Sequence, residues 1–179
     1  MKRILIITVI FCLVIFLSAA VFAVSSTIGD SYRQRETIIG QLGGNILQTI
    51  KPEQVKLLRD HVPVAFDYDI KRLGNSHYIW LTAPQNEDEY TLVIEDIVED
   101  SGNGPELVNY EKKFKVENGT IDYYIKPGFI FTSADFKIEA RLFEDFSKTI
   151  NVDFPEQRNI ILNPGLNIKI GRASCRERV

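Results

Sequence analysis

The chain has 179 residues, 45% hydrophobic and 25% charged, with two cysteines, two histidines and a formal charge of −3, enough for one domain with a proper core plus a targeting segment. Between Val24 and Lys169, sixteen Lys or Arg stand against twenty-three Asp or Glu, so this body carries −7, and five basic residues and one acid at the two ends hide the imbalance. An acidic body without a basic patch argues against nucleic acid and anionic lipid as partners, and its lack of cysteine excludes an internal disulfide.

Met1-Lys2-Arg3 is a short basic start to an apolar run from Ile4 to Val24, interrupted only by Thr8, Cys12 and Ser18. Twenty-one helical residues span a bilayer core of about 30 Å. Residues 1–24 are therefore expected to form a signal anchor or a signal peptide. Their length favours the anchor, since a signal-peptide apolar core is usually about 7–15 residues, whereas Ser18-Ala19-Ala20 and Val21-Phe22-Ala23 suit a signal peptidase. Either way Lys2 and Arg3 hold the N-terminus in the cytoplasm, so the body is expected outside it, anchored or secreted. Cys12 reads as a small apolar filler and not as a lipidated cysteine.

Residues 25–35 are small and polar and suggest a stalk. Residues 36–169 are expected to form an extracytoplasmic β-domain, incomplete at its end. Glu36 to Gln48 opens with a strand-like run and reaches a turn at Gly43-Gly44-Asn45. Lys51 to Pro63 reads either as a brief helix from Pro52 or as an irregular strand. Val64, Phe66, Tyr68 and Ile70 then alternate with polar residues as a half-buried strand, RLGNS turns, and HYIWLTA returns until Pro84 stops it. After the acidic QNEDE loop, the apolar YTLVIEDIV suggests a central strand, and EDSGNGPE a long polar loop. Asn118-Gly119 between two alternating runs predicts a tight hairpin. Phe136, Ile138, Ala140 and Leu142 share one face of an amphipathic strand. KTINVDFP repeats the pattern until Pro155, and NIILNPGLNIKI adds a strand, a turn and the start of another.

Seven to nine short strands, almost no helix and an export segment predict an all-β, antiparallel Ig-like β-sandwich preceded by a transmembrane or signal helix. The stretch from Thr120 to Pro155, with its Tyr-x-Ile-x-Pro-Gly corner, resembles Ig-like modules of prokaryotic surface proteins. From about Glu36 to Lys169 the chain is similar to the amino-terminal part of uncharacterised exported proteins, archaeal in character. The Cys…Trp…Cys hallmark of antibody domains is absent, and the resemblance carries over no functional residue.

Catalytic material is sparse. His61 precedes Val62-Pro63 and His77 adjoins a turn, so both are expected at the surface or an edge, and neither a Cys-His nucleophile nor an ordinary zinc site can be assembled in the body. No cofactor is implied. The carboxylates of EDIVED and QNEDEY read as solvated loops. Asp100, Asn103 and Glu106 offer hard oxygen ligands for calcium but miss the EF-hand spacing. Trp80, Tyr78, Tyr123 and Tyr124 raise a sugar-binding face, although alternation places Tyr123 with Ile121 and Ile125 in the core and leaves Tyr124 as the exposed aromatic. Asn118-Gly119-Thr120 is a glycosylation sequon at Asn118.

The last ten residues, IGRASCRERV, differ from the rest, with three arginines and one acid. Back-translated as ATC GGA AGA GCG TCG TGT AGG GAA AGA GTG, they resemble a sequencing adapter read in one frame, so residues 170–179 are expected to be an artefact and not the body's own strand. The expected function is a membrane-tethered structural, adhesion or spacer module at the start of a longer surface protein, meeting a cell-surface protein or glycan. The alternative is a carbohydrate-binding module, or the accessory domain of a surface hydrolase whose active site lies beyond residue 169.

Overall fold

The computed structural model describes residues 24–130, 132, 135–154 and 156–171. The expected anchor up to Phe22 and Ala23, Pro155, and residues 172–179 of the expected tail lie outside the described residues, whereas Ile170 and Gly171, expected not to belong to the body's own strand, pair with Lys137 and Phe136. Among the described residues no helix is long and apolar enough to cross a membrane.

The described chain is all-β: β1 (Ser25–Ser26), β2 (Ser31–Arg33), β3 (Thr37–Gly43), β4 (Val55–Arg59), β5 (Val62–Pro63), β6 (Tyr68–Leu73), β7 (Ser76–Thr82), β8 (Asp88–Asp100), β9 (Pro105–Glu117), β10 (Tyr123–Lys126), β11 (Phe136–Leu142), β12 (Lys148–Phe154), β13 (Glu156–Leu162) and β14 (Gly165–Gly171). They form sheets of order β1-β3-β7-β6, β2-β9-β8-β4-β5, β10-β11-β14 and β12-β13. Every ladder is antiparallel except the parallel β2–β9 pairing.

The two larger sheets share one core. Ile38, Leu42, Ile70, Ile79 and Leu81 from the first meet Leu57, Tyr90, Leu92, Ile94, Phe114 and Val116 from the second, an arrangement consistent with a β-sandwich. A separate, smaller core of Ala140, Leu142, Ile150 and Leu162 lies between the other two sheets, with Tyr123, Ile125 and Ile160 packed on it. Long β8 keeps its buried face through a bulge between Ile94 and Ile97, where Asp96 takes a φ of 53° and its N–H donates to Asn109 Oδ1 at 3.0 Å. The bulge turns Asp96 outward and aims Ile97 and Glu99 back inward, where both are buried.

Several expectations are corrected. Residues 25–35 are not a stalk: Ser25 and Ser26 pair with Gly43 and Leu42, Ser31–Arg33 pair with β9, and Ile28 is buried in the larger core. Lys51 to Pro63 gives one 3-10 turn at Pro52–Gln54 and then strands β4 and β5, joined through Asp60 and His61 at φ of 48° and 67°, the left-handed pair of a tight hairpin. The alternation from Val64 survives in burial but not as one strand. Residues 64–67 cross between sheets: Val64 N–H donates to Leu57 O on β4, and Asp67 O accepts from Thr82 N–H on β7. The loop expected at EDSGNGPE is a four-residue turn, 101–104, because β8 and β9 pair out to Asp100 and Pro105.

The Asn118-Gly119 hairpin does not form. The edges of β9 are occupied by β8 and β2, so the chain leaves β9 at Glu117 and crosses to the smaller core, with neither Asn118 nor Gly119 at positive φ. Arg33 fixes this crossing, its Nη1 donating to Thr120 O at 3.0 Å.

Candidate functional site

The structure disperses the residues that a metal or catalytic reading needs. Asp100 Oδ1 accepts from Gly102 N–H and Glu106 Oε1 from Ser101 Oγ, each at 3.0 Å, so both carboxylates serve the turn they flank. Asn103 is exposed at its tip. Among the described residues no group of three or more His, Cys, Asp or Glu could hold a metal ion. The acidic runs expected as solvated loops lie instead largely along β8: Glu95 pairs with Lys56 at 2.5 Å and Asp88 lies 3.8 Å from Arg59, whereas Glu99 is buried with no hydrogen bond to its Oε1 among the described residues. Asn118 and Thr120 are exposed, leaving the sequon accessible on an irregular connection.

His61 is exposed at its turn, as expected, but His77 is fully buried and not at the surface. The physical reason is the period of β7: His77 shares the inward face with Ile79 and Leu81. Neither ring nitrogen makes a hydrogen bond. Burial, with the charge of its cross-strand neighbour Arg72 second, holds its pKa below the ordinary histidine value, and the Gln48 backbone, short of proper bonding geometry, pulls weakly the other way.

The other face of β7 carries Tyr78 and Trp80, and this face is covered. Trp80 is buried, and a Cβ on Gly128 would come within 2.8 Å of Trp80 Cβ and 3.0 Å of Thr37 Cγ2, so the chain passes there only as glycine. Phe129 meets Tyr78 edge-on with ring centres 6.4 Å apart. Trp80 and Tyr78 are packing residues and not a platform. Tyr123 packs on the smaller core, whereas Tyr124, expected to be exposed, is half-buried, its ring 5.9 Å from Phe143.

The junction between the two cores brings chemically varied groups together. Thr37 Oγ1 donates to Ile125 O at 2.8 Å and accepts from Ile125 N–H at 3.3 Å, and Lys126 Nζ lies 2.8 Å from Asp67 Oδ2. Beside these contacts opens a cleft of about 560 Å³, with Arg33, Glu36 and Ile39 on one wall and Ile121, Asp122 and Tyr124 on the other. Glu36 Oε2 accepts from Arg33 N–H at 2.7 Å, which fixes the Glu36 side chain, while Thr120 O holds the Arg33 guanidinium. Asp122 pairs with Lys148, and burial is small enough there that the pairing raises the lysine pKa through the hydrogen bond first. Sequence reading missed this cleft because Arg33 lay in the supposed stalk and Asp122 in a supposed hairpin. The signal available was local, an acid three residues after Arg33 in a position to cap its backbone.

Scanned against protein families, the chain matches none, and a search of curated proteins finds no sequence match.

Proposed function

We propose that this chain is a membrane-tethered, non-enzymatic module outside the cytoplasm, an Ig-like β-sandwich that serves as a structural spacer or adhesion unit of a longer surface protein. The observation that carries this reading is the placement of the two chain regions at opposite ends of β3. Ser25, directly after the apolar run, pairs with Gly43, whereas the smaller core is fastened at Thr37. Six residue steps separate them, about 20 Å at the rise of an extended strand. A chain that enters at one end of the larger core and leaves at the other carries whatever follows away from its point of attachment.

The apolar run supplies the membrane contact, and the acidic body supports a cell-surface protein or glycan as partner in preference to nucleic acid. The Ig-like assignment is supported by two facing sheets and by the resemblance of Thr120 to Pro155, although the parallel β2–β9 pair is a local departure. The test is topology in intact cells. With Cys12 and Cys175 replaced by serine, a cysteine at exposed Lys113 is expected to react with a membrane-impermeant maleimide before lysis and to sediment with membranes. Labelling only after lysis sinks the reading.

A further inference from the structure

We propose that the cleft between the two cores binds a short neutral oligosaccharide. Its walls combine what a sugar requires. Donors come from Arg33, a five-donor guanidinium whose one hydrogen bond among the described residues goes to Thr120 O. Acceptors come from Glu36, with Oε2 on the Arg33 backbone, and Asp122, with Oδ2 on Lys148. Apolar surface comes from Ile39, 52% exposed despite its size, and from the ring of Tyr124. The Tyr124 hydroxyl has no partner among the described residues and adds a group that can donate or accept.

The charge balance selects the class of ligand. One cation and two carboxylates line the cleft, and Lys148 balances one of the carboxylates, so neither a polyanion nor a polycation finds a surplus of opposite charge there. A neutral molecule with alternating hydroxyl groups and C–H faces uses both signs and the apolar wall. The volume, about 560 Å³, falls within the range of about 300–1,000 Å³ usual for small-molecule sites. Because the walls belong to different cores, a bound sugar bridges them and holds their angle, which gives the adhesion unit a glycan partner. The inference rests on the external placement proposed above, and maleimide labelling tests that placement without any sugar present.

The experiment titrates the full chain, its apolar run held in a zwitterionic detergent without a sugar headgroup, with tetra- to hexasaccharides from cellulose, chitin, mannan and xylan. Trigalacturonate and spermine are the charged probes, and binding is read by calorimetry. The expected result is millimolar or tighter binding of at least one neutral saccharide, weakened about three- to tenfold by Tyr124→Phe, which keeps the ring, and by Glu36→Gln, as loss of one hydrogen-bond partner implies. Arg72→Ala, on distant β6, leaves it unchanged. Silence across the neutral panel, binding of a charged probe alone, or saccharide binding indifferent to both cleft variants would each overturn the proposal.

Discussion

The larger core buries eighteen side chains between two sheets, whereas the smaller one buries four among the described residues. Both are built from alternating strands, so alternation alone does not decide stability. What differs is how much apolar surface each can remove from water, at about 25 cal/mol per Å². The smaller unit also shows Phe146, Ile161, Leu166 and Ile168 to solvent, each at least 48% exposed. On β14 the apolar residues Leu166 and Ile168 lie opposite Arg141 and Glu139, on the outward face of β11, and Asn167 takes the inward place opposite Ala140. A strand whose apolar row faces away from the core contributes little to it. The expected consequence is that the larger core folds as the main unit and the smaller one leans on it through the junction.

Truncations inside each core test this asymmetry with the largest effect. Leu92→Ala in the larger core is expected to cost about 2–5 kcal/mol, as buried leucine truncations do, and to move the main denaturant midpoint down. Leu142→Ala removes one of the four side chains buried in the smaller core among the described residues and is expected to unfold that unit while the larger core still melts cooperatively. The chain's single tryptophan reports the difference. Trp80 is buried beneath Gly128, so loss of the smaller unit shifts its emission to the red before the main transition begins. One transition moved equally by both substitutions would mean that the two cores fold as one.

Acid offers a way to narrow the gap between the cores from the opposite side. His77 is buried in the larger core with a depressed pKa, while neither histidine lies in the smaller. The unfolded chain takes up this proton near pH 6.5, before the folded chain does, so the larger core loses stability as pH falls from about 6.5 toward the folded value. Above that window the group adds no pH dependence. The slope from one such proton is at most about 1.4 kcal/mol per pH unit. Denaturant midpoints of the main transition between pH 7 and pH 5 measure it, and His77→Leu is expected to flatten the profile. An unchanged slope in that variant would place the acid sensitivity elsewhere.

Both units were legible where an apolar pattern runs unbroken along one strand: HYIWLTA and YTLVIEDIV carry their alternation or apolar runs into β7 and β8 as read, and DFKIEARLF does so as β11. Periodicity failed where pairing is a non-local choice. Asn118-Gly119 has the chemistry of a hairpin, yet β8 and β2 had already taken both edges of β9, a fact no local window contains. The residues read as a stalk are polar because two-residue and three-residue edge strands need backbone pairing more than side-chain burial, with Ile28 as the exception that marks their attachment. His77 could have been read from its own strand, since His77, Ile79 and Leu81 share a parity. Of the cleft only the local Arg33–Glu36 spacing was legible, because its walls are some 90 residues apart in sequence, as Arg33 and Thr120 are 87.

The smallest expected effect concerns what holds the two cores together. Lys126 and Asp67 cross the junction at 2.8 Å, but their side chains are 40% and 60% exposed, so water screens them. Such a pair contributes about 0–1 kcal/mol. Thr37, half-buried, both donates to and accepts from Ile125, and Trp80 covers itself with Gly128, so packing and backbone bonding outweigh the ion pair. Lys126→Ala is therefore expected to move the Trp80-reported junction transition by no more than the median surface pair, with the difference vanishing in 1 M salt, where the screening length is about 3 Å. If the variant instead releases the smaller unit at low salt, electrostatics and not the Thr37 contact fastens it, and the angle between the cores would then respond to ionic strength.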